Sequence, residues 1–235
     1  MLAIYKRELH SYFTSMTGCA FIAFTTALGS LYFILYNMYS GYAYFAYALV
    51  STVFFMIITI PILTMRSFAE DKRNKTEQLL MTAPISLTKI VLGKYFAILT
   101  VFAVPVSIFC TFPLIIDHLG YANFFIDYST ILAYFLFGAV FISVGMYVSA
   151  LTESQVIAAI GSFAILYIFY MWDSFILFCP VYELIDVLAE FSLMGILNNF
   201  AYNKIFDAVG LVTYISVAFI FVFLTIQTLQ KRRWS

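Results

Sequence analysis

Residues 11–65 read SYFTSMTGCAFIAFTTALGSLYFILYNMYSGYAYFAYALVSTVFFMIITIPILTM, without one charged side chain or histidine. A helix crossing a hydrocarbon core of about 30 Å needs roughly 20 apolar residues, so this run holds two crossings. Its natural break lies at Asn37 to Gly41, where Asn37, Ser40 and Gly41 supply turn chemistry. Spans are expected at Thr17–Asn37 and Tyr44–Met65. Outward from this hairpin, similar runs cover Tyr95–Ile116, Tyr128–Ala150, Val156–Phe178 and Val209–Leu229. None alternates polar and apolar residues as the strands of a membrane barrel would. Helices satisfy their own backbone groups in lipid, so the expectation is an all-α polytopic membrane protein. It is one transmembrane domain, 1–235, with six helices.

Composition agrees. Of 235 residues, 64% are hydrophobic and only 10% charged, with a mean hydropathy of +0.98; an average soluble domain carries about 25% charged residues. A soluble enzyme domain and a disordered tail are excluded. So is a nucleic-acid binder, which needs a basic excess that a net charge of zero does not supply. Cys19, Cys110 and Cys179 form no C-x-x-C pair or disulfide framework, and two histidines, His10 and His118, leave a metal site little to draw on. The apolar stretch after Lys6 and Arg7 is too long for the core of a secretory signal.

Orientation follows from the lysines and arginines of the short loops. With six spans, eleven of the twelve basic residues fall on one side, at Lys6 and Arg7, between Arg66 and Lys94, and at Lys231, Arg232 and Arg233. Only Lys204 falls on the other, with seven acids. The zero net charge thus resolves into +6 inside and −6 outside, and both termini are expected in the cytoplasm.

Three segments outside the spans carry pattern. In 1–16, Leu2, Tyr5, Leu9, Tyr12 and Met16 recur at helical spacing, with Lys6, Arg7 and His10 on another side. That is a helix lying in the membrane interface, its basic side toward headgroups; the plainer reading is a flank that sets topology. The loop 66–94 holds nine of the 24 charges. Thr76 can cap a short helix whose positive first turn suits Glu77, Pro84 breaks it, and Ser86 can cap the next helix. A docking knob and a solvated loop fit this pattern equally well. The segment 179–208 carries Glu183, Asp186 and Glu190 on one helical face, Leu184, Val187, Leu188 and Phe191 on the other, and a short apolar Leu193–Leu197. It reads as short helices at the outer leaflet, either a lid or an amphipathic spacer.

Catalytic patterns are missing. Gly93-Lys94 fails as a phosphate loop because Thr88 stands where glycine belongs and Tyr95 where Ser or Thr belongs. No H-E-x-x-H or G-x-S-x-G occurs. Asp173, beside Trp172, is the one acid in a predicted span and sits near its outer end, where it reaches water. Tyr36, Tyr39, Tyr42, Tyr44 and Tyr47 crowd the outer end of the first hairpin as an aromatic belt. Pro61, Pro105 and Pro113 interrupt spans two and three.

The stretch from Arg66 to Tyr95, with its Glu70-Asp71-Lys72-Arg73, Lys75-Thr76-Glu77-Gln78-Leu79-Leu80 and Thr82-Ala83-Pro84, resembles the first cytoplasmic loop of type 2 ATP-binding-cassette (ABC) transporter permeases. The branch it is most similar to contains the gliding-motility permease and the permease for nitrous-oxide-reductase maturation. Ser149 to Ala159, including Glu153 and Gln155, is similar to a second stretch of that branch, and Lys231-Arg232-Arg233-Trp234 to its C-terminal end. With Lys6 to Leu9, the resemblance covers essentially the whole chain. One position departs: glycine is usual before the Thr-Glu pair, and Lys75 stands there.

The resemblance implies an N-terminal elbow helix and a coupling helix (Glu70, Asp71, Lys72, Arg73, Lys75, Thr76, Glu77, Gln78, Leu79 and Leu80) that docks on a separate cytosolic ABC ATPase. It implies short re-entrant helices between spans five and six, hence an outer gate including Glu183, Asp186, Leu188, Glu190, Leu193 and Leu197, and cytoplasmic span ends at Arg66, Lys94, Glu153 and Gln155. The expectation is an ABC permease subunit, an exporter in a bacterial cytoplasmic membrane, paired with a second permease subunit and not itself an enzyme. ATP and Mg belong to the ATPase. An ion-gradient-driven transporter or channel is the alternative, but it calls for midplane charges or broken helices in two repeats.

Overall fold

The computed structural model describes residues 1–75, 86–118, 123–176 and 189–234. Among these every regular element is helical. Helix α1 spans Leu2–Thr14 and α2 Met16–Phe33, the latter continued by a wider π turn, Ile34–Tyr39. Then come α3 (Ala46–Thr64), α4 (Arg66–Arg73), α5 (Leu87–Phe109), α6 (Phe112–His118) and α7 (Phe124–Leu151). Helices α8 (Gln155–Tyr170), α9 (Trp172–Ile176), α10 (Leu193–Ala201) and α11 (Ala208–Trp234) complete the described chain. Among the described residues five stretches are long and apolar enough to cross a bilayer: Met16–Tyr39, Ala46–Arg73, Leu87–His118, Phe124–Leu151 and Ala208–Lys231.

Helix α7 is the hub, packed by α3, α4, α5, α8, α10 and α11. Being apolar all round, it has no face that prefers water. Small residues let neighbours close on it, which is how helices associate where lipid removes the hydrophobic drive. A Cβ on Gly145 would lie 2.2 Å from Thr64 Oγ1 of α3. Aromatic rings fill the remaining space, with Phe102 of α5 stacked on Phe135 of α7 at 5.9 Å. At the far end of the hub, Asp127 is wholly buried and accepts the Phe45 N–H at 2.9 Å, supplying an acceptor at the start of α3.

The helix boundaries differ from the sequence expectation in instructive ways. The third span starts at Leu87, not Tyr95. Ser86 does occupy the N-cap, but its hydroxyl meets Thr88 Oγ1 (3.2 Å) rather than a backbone N–H. Lys89 and Lys94 do not end a helix, because charge is not a helix breaker. Pro61 and Pro105 lie inside continuous helices, whereas α5 stops at Phe109, whose carbonyl Pro113 cannot reach with an N–H. The run Val156–Phe178 is not one continuous helix: α8 has 16 residues and Met171 interrupts the turn before α9. Alone, α8 falls short of the roughly 20 residues a crossing needs.

Helix α1 faces its neighbours differently from the expected stripe. Ile4 and Tyr12 are buried and Glu8 is tucked in beside them, while Leu2 (73%) and Met16 (89%) stand exposed. Lys6, Arg7 and His10 lie on the outer side as expected. An acid takes the inward position because a buried cation waits for it. Only Ser15 separates α1 from α2, and the corner is tight: a Cβ on Gly18 would meet the Tyr12 carbonyl oxygen at 2.1 Å. Burial, then the neighbouring Glu8, pushes the Tyr12 hydroxyl far above the usual phenol range.

Candidate functional site

The basic end of the bundle holds the densest polar construction. Helix α4 continues directly from α3 past Met65, and its first N–H groups need acceptors. Ser149, on α7, supplies one: its Oγ accepts from Phe68 N (3.2 Å) and Ala69 N (3.1 Å) and donates to the Met65 carbonyl (3.0 Å). Lys72 returns the favour, its Nζ donating to the carbonyls of Ala150 and Thr152 where α7 ends. Arg66 closes on Glu70 with two N–H bonds (2.7 and 3.3 Å) and reaches Thr17 Oγ1 of α2 at 2.8 Å.

Lys94, only 2% exposed, sits between these elements. Its Nζ lies 2.6 Å from Asp71 Oδ2 of α4 and 3.3 Å from Glu8 Oε1 of α1, and donates to the Ser67 carbonyl at 2.5 Å. The ammonium also stands 5.1 Å above the Phe68 ring. One hydrogen bond and two ion pairs thus surround the buried ammonium, which offsets its desolvation. Arg7, 2.6 Å from Glu8, brings the local charge to zero. One cation ties α1, α4 and α5 together.

Of the residues assigned to docking, the structure divides the described ones. Glu70, Asp71 and Lys72 turn inward and are spent on these contacts; Arg73 and Lys75 are exposed. Thr76, Glu77, Gln78, Leu79 and Leu80 lie outside the described residues. Lys75 has φ +58°, with its N–H on the Lys72 carbonyl at 3.0 Å. That is the left-handed conformation glycine adopts freely, which gives the departure at this position a physical meaning. Arg66 and Lys94 belong to the cluster, but Glu153 is exposed at the start of α8, Gln155 is half-buried, and neither joins it. The inward Glu8 and the capping Ser149 were not singled out for these roles. Glu8 at i+4 between the apolar Ile4 and Tyr12 was the available signal.

At the opposite, acidic end, a cavity of about 910 Å³ opens between α9, α10 and α11. Asp173, Glu190 and Asp207 line it with Asn198, Asn199 and Asn203. Asp207 accepts from Gly210 N (2.8 Å) at the start of α11 and from Asn199 Nδ2 (3.2 Å). Asp173, next to Trp172 in the chain, is one of the residues lining this cavity. Of the gate residues, Leu193 and Leu197 are buried, Glu190 is exposed, and Glu183, Asp186 and Leu188 lie outside the described residues. Tyr214 of α11 fixes the start of α10 through the Leu193 carbonyl (2.7 Å). The hairpin tyrosines do cluster, Tyr42 on Tyr47 at 5.4 Å, and they reach the end of α10 through Tyr47 and Tyr202 (5.3 Å). Lys204 stands 4.0 Å above the Tyr44 ring.

Among the described residues no group of three or more His, Cys, Asp or Glu side chains could hold a metal. The family model described as "ABC-2 family transporter protein" matches residues 3–194. No curated protein matches the chain.

Proposed function

The chain belongs to the ABC-2 transporter family and is a multi-pass membrane permease component; on that premise we propose that it is the exporting permease of a complex driven by a separate ATPase. In this reading it crosses a bacterial cytoplasmic membrane six times, α8 and α9 making the fifth crossing as a broken helix. Both termini lie in the cytoplasm, α1 is the elbow, and the gliding-motility and nitrous-oxide-reductase-maturation branch is its place in the family. Two permease subunits pair, and two ATPase chains holding ATP and Mg dock on the loop from Arg73 through Leu80. The segment 181–197 forms the outer gate.

The observation that carries this reading is the anchoring of α4. The helix that leads into the docking loop is bonded to α2, α5 and α7 at once, and through Lys94 of α5 to α1. A push on the loop is therefore delivered to the whole bundle rather than absorbed by a hinge. Work comes from the ATPase's preference for its closed, ATP-bound arrangement, so the permease needs no catalytic residue. Glu77→Ala with Leu80→Ala should abolish co-purification of the ATPase while the permease still inserts in the membrane. Undiminished co-purification would refute the docking.

A further inference from the structure

Between α5, α7 and α11 the side of the bundle is notched by an apolar groove of about 310 Å³. Its floor is small and buried, Ala139 of α7 and Ala218 of α11. Its rims are aromatic and open, Phe96 of α5 at 41% exposure and Phe219 of α11 at 70%. The two phenols that line it are already committed: Tyr95 Oη donates to the Ala139 carbonyl (3.2 Å) and Tyr214 Oη to the Leu193 carbonyl (2.7 Å). Among the described residues no other lining side chain carries a polar group. The groove therefore has no donor to offer water or a polar ligand. All three helices belong to membrane-crossing stretches. A void there forfeits dispersion along its walls, so within the hydrocarbon an acyl chain is the matching occupant.

One end of the groove says whose chain it is. Lys89 shares a face of α5 with Leu92, Phe96 and Leu99, at i, i+3, i+7 and i+10. It is exposed, and among the described residues it has no ion-pair partner. Residues 92–99 cover about 10 Å of helix, within the roughly 15 Å of one leaflet. Lys89 lies one turn beyond, where its stem can follow apolar surface and its ammonium reach the headgroups. A second apolar groove, about 400 Å³ between α2 and α3, lacks such a cation. The guanidinium beside it, Arg66 on Thr17, is closed on Glu70.

We propose that the groove between α5, α7 and α11 holds one acyl chain of an anionic phospholipid, whose phosphate pairs with Lys89. An uncharged lipid fills the groove but leaves Lys89 unanswered. The inference requires only that the chain spans a membrane, and it is independent of the ATPase.

Phe96→Trp and Phe24→Trp put a fluorophore in each of the two grooves. Each full chain is reconstituted into phosphatidylcholine with a minority of phosphatidylglycerol, one lipid or the other carrying brominated, quenching acyl chains. The signal of Trp172 and Trp234 is taken from the parent chain. Phe96→Trp should show a preference of about fivefold for phosphatidylglycerol, the worth of one lysine near an anionic surface. Phe24→Trp should show none, and added salt should erode the preference at 96. Adding Lys89→Gln, at an exposed position, should bring the ratio at 96 down to that at 24. Adding Ala218→Leu, which fills the floor, should lower quenching at 96 by both lipids. No preference at 96, or one that survives Lys89→Gln, overturns the proposal. Equal preference at both positions also overturns it, leaving only the general field of the basic end. None of these results alters the outcome of the Glu77 and Leu80 test.

Discussion

The ammonium of Lys94 lies 2.6 Å from Oδ2 of Asp71, with 2% of the lysine side chain and 20% of the aspartate exposed. The pair joins two helices, 23 positions apart in the chain, on either side of the loop read as the motor's attachment point. Burying such a charge is costly unless partners surround it, and the pair persists because Glu8 and the Ser67 carbonyl complete the shell.

Removing the cation should therefore hurt more than removing either acid. Lys94→Met leaves two acids facing each other in a poorly hydrated pocket and should cost about 3 kcal/mol of stability. Asp71→Asn should cost less, because Glu8 still answers the lysine. The triple variant Lys94→Met, Asp71→Asn, Glu8→Gln should recover most of the loss. Denaturant unfolding in detergent measures all three, and a Lys94→Met loss below 1 kcal/mol would contradict the argument.

Ser149→Ala strips the acceptor from Phe68 and Ala69, whose N–H groups then start α4 without a cap. A lost cap costs about 1 kcal/mol. Hydrogen exchange should accelerate locally across 67–71 and leave the middle of α7 unchanged. Uniform acceleration would mean that Ser149 supports the hub rather than the short helix.

Lys75 holds a left-handed backbone that costs a side-chain-bearing residue about 1 kcal/mol. Lys75→Gly should relieve most of that, less the extra entropy glycine loses on folding, and raise the unfolding midpoint slightly. Lys75→Val, branched at Cβ, should lower it. Equal midpoints for the two variants would show that the turn relaxes freely.

Gly145→Ala places a methyl carbon 2.2 Å from Thr64 Oγ1, where the hub meets α3. Overpacking of this kind costs about 1–3 kcal/mol. Gly145→Ala combined with Thr64→Ala should regain part of it, a coupling that a double-mutant cycle reads directly.

Much of the fold was legible in the chain because lipid imposes so few solutions. Long apolar runs must be helices, and the charge-free stretch 11–65 could only be a hairpin of them. The broken run at Met171 was not legible, since hydropathy averages over a window and does not register one interrupted turn. The short helix ends were missed for the same reason, although Ser86 does stand at an N-cap position without its hydroxyl capping a backbone N–H.

At the candidate site, sequence marked Arg66, Glu70, Asp71, Lys72 and Lys94 as one charged segment, but assigned Glu70, Asp71 and Lys72 to docking and Arg66 and Lys94 to span ends, without pairing them. Charge in a loop is usually solvated, and nothing in the order of residues says which side chain turns inward. That depends on what stands opposite: the Ser149 hydroxyl, the carbonyls ending α7, and Glu8 brought over by the corner at Gly18. By itself the sequence determined that this protein lives in a membrane, that it is helical and how its charge is segregated, because these are properties of composition and period. Only the tertiary structure decided that Lys94 binds Asp71 and Glu8, because pairing follows from distance and desolvation, which exist once the helices pack.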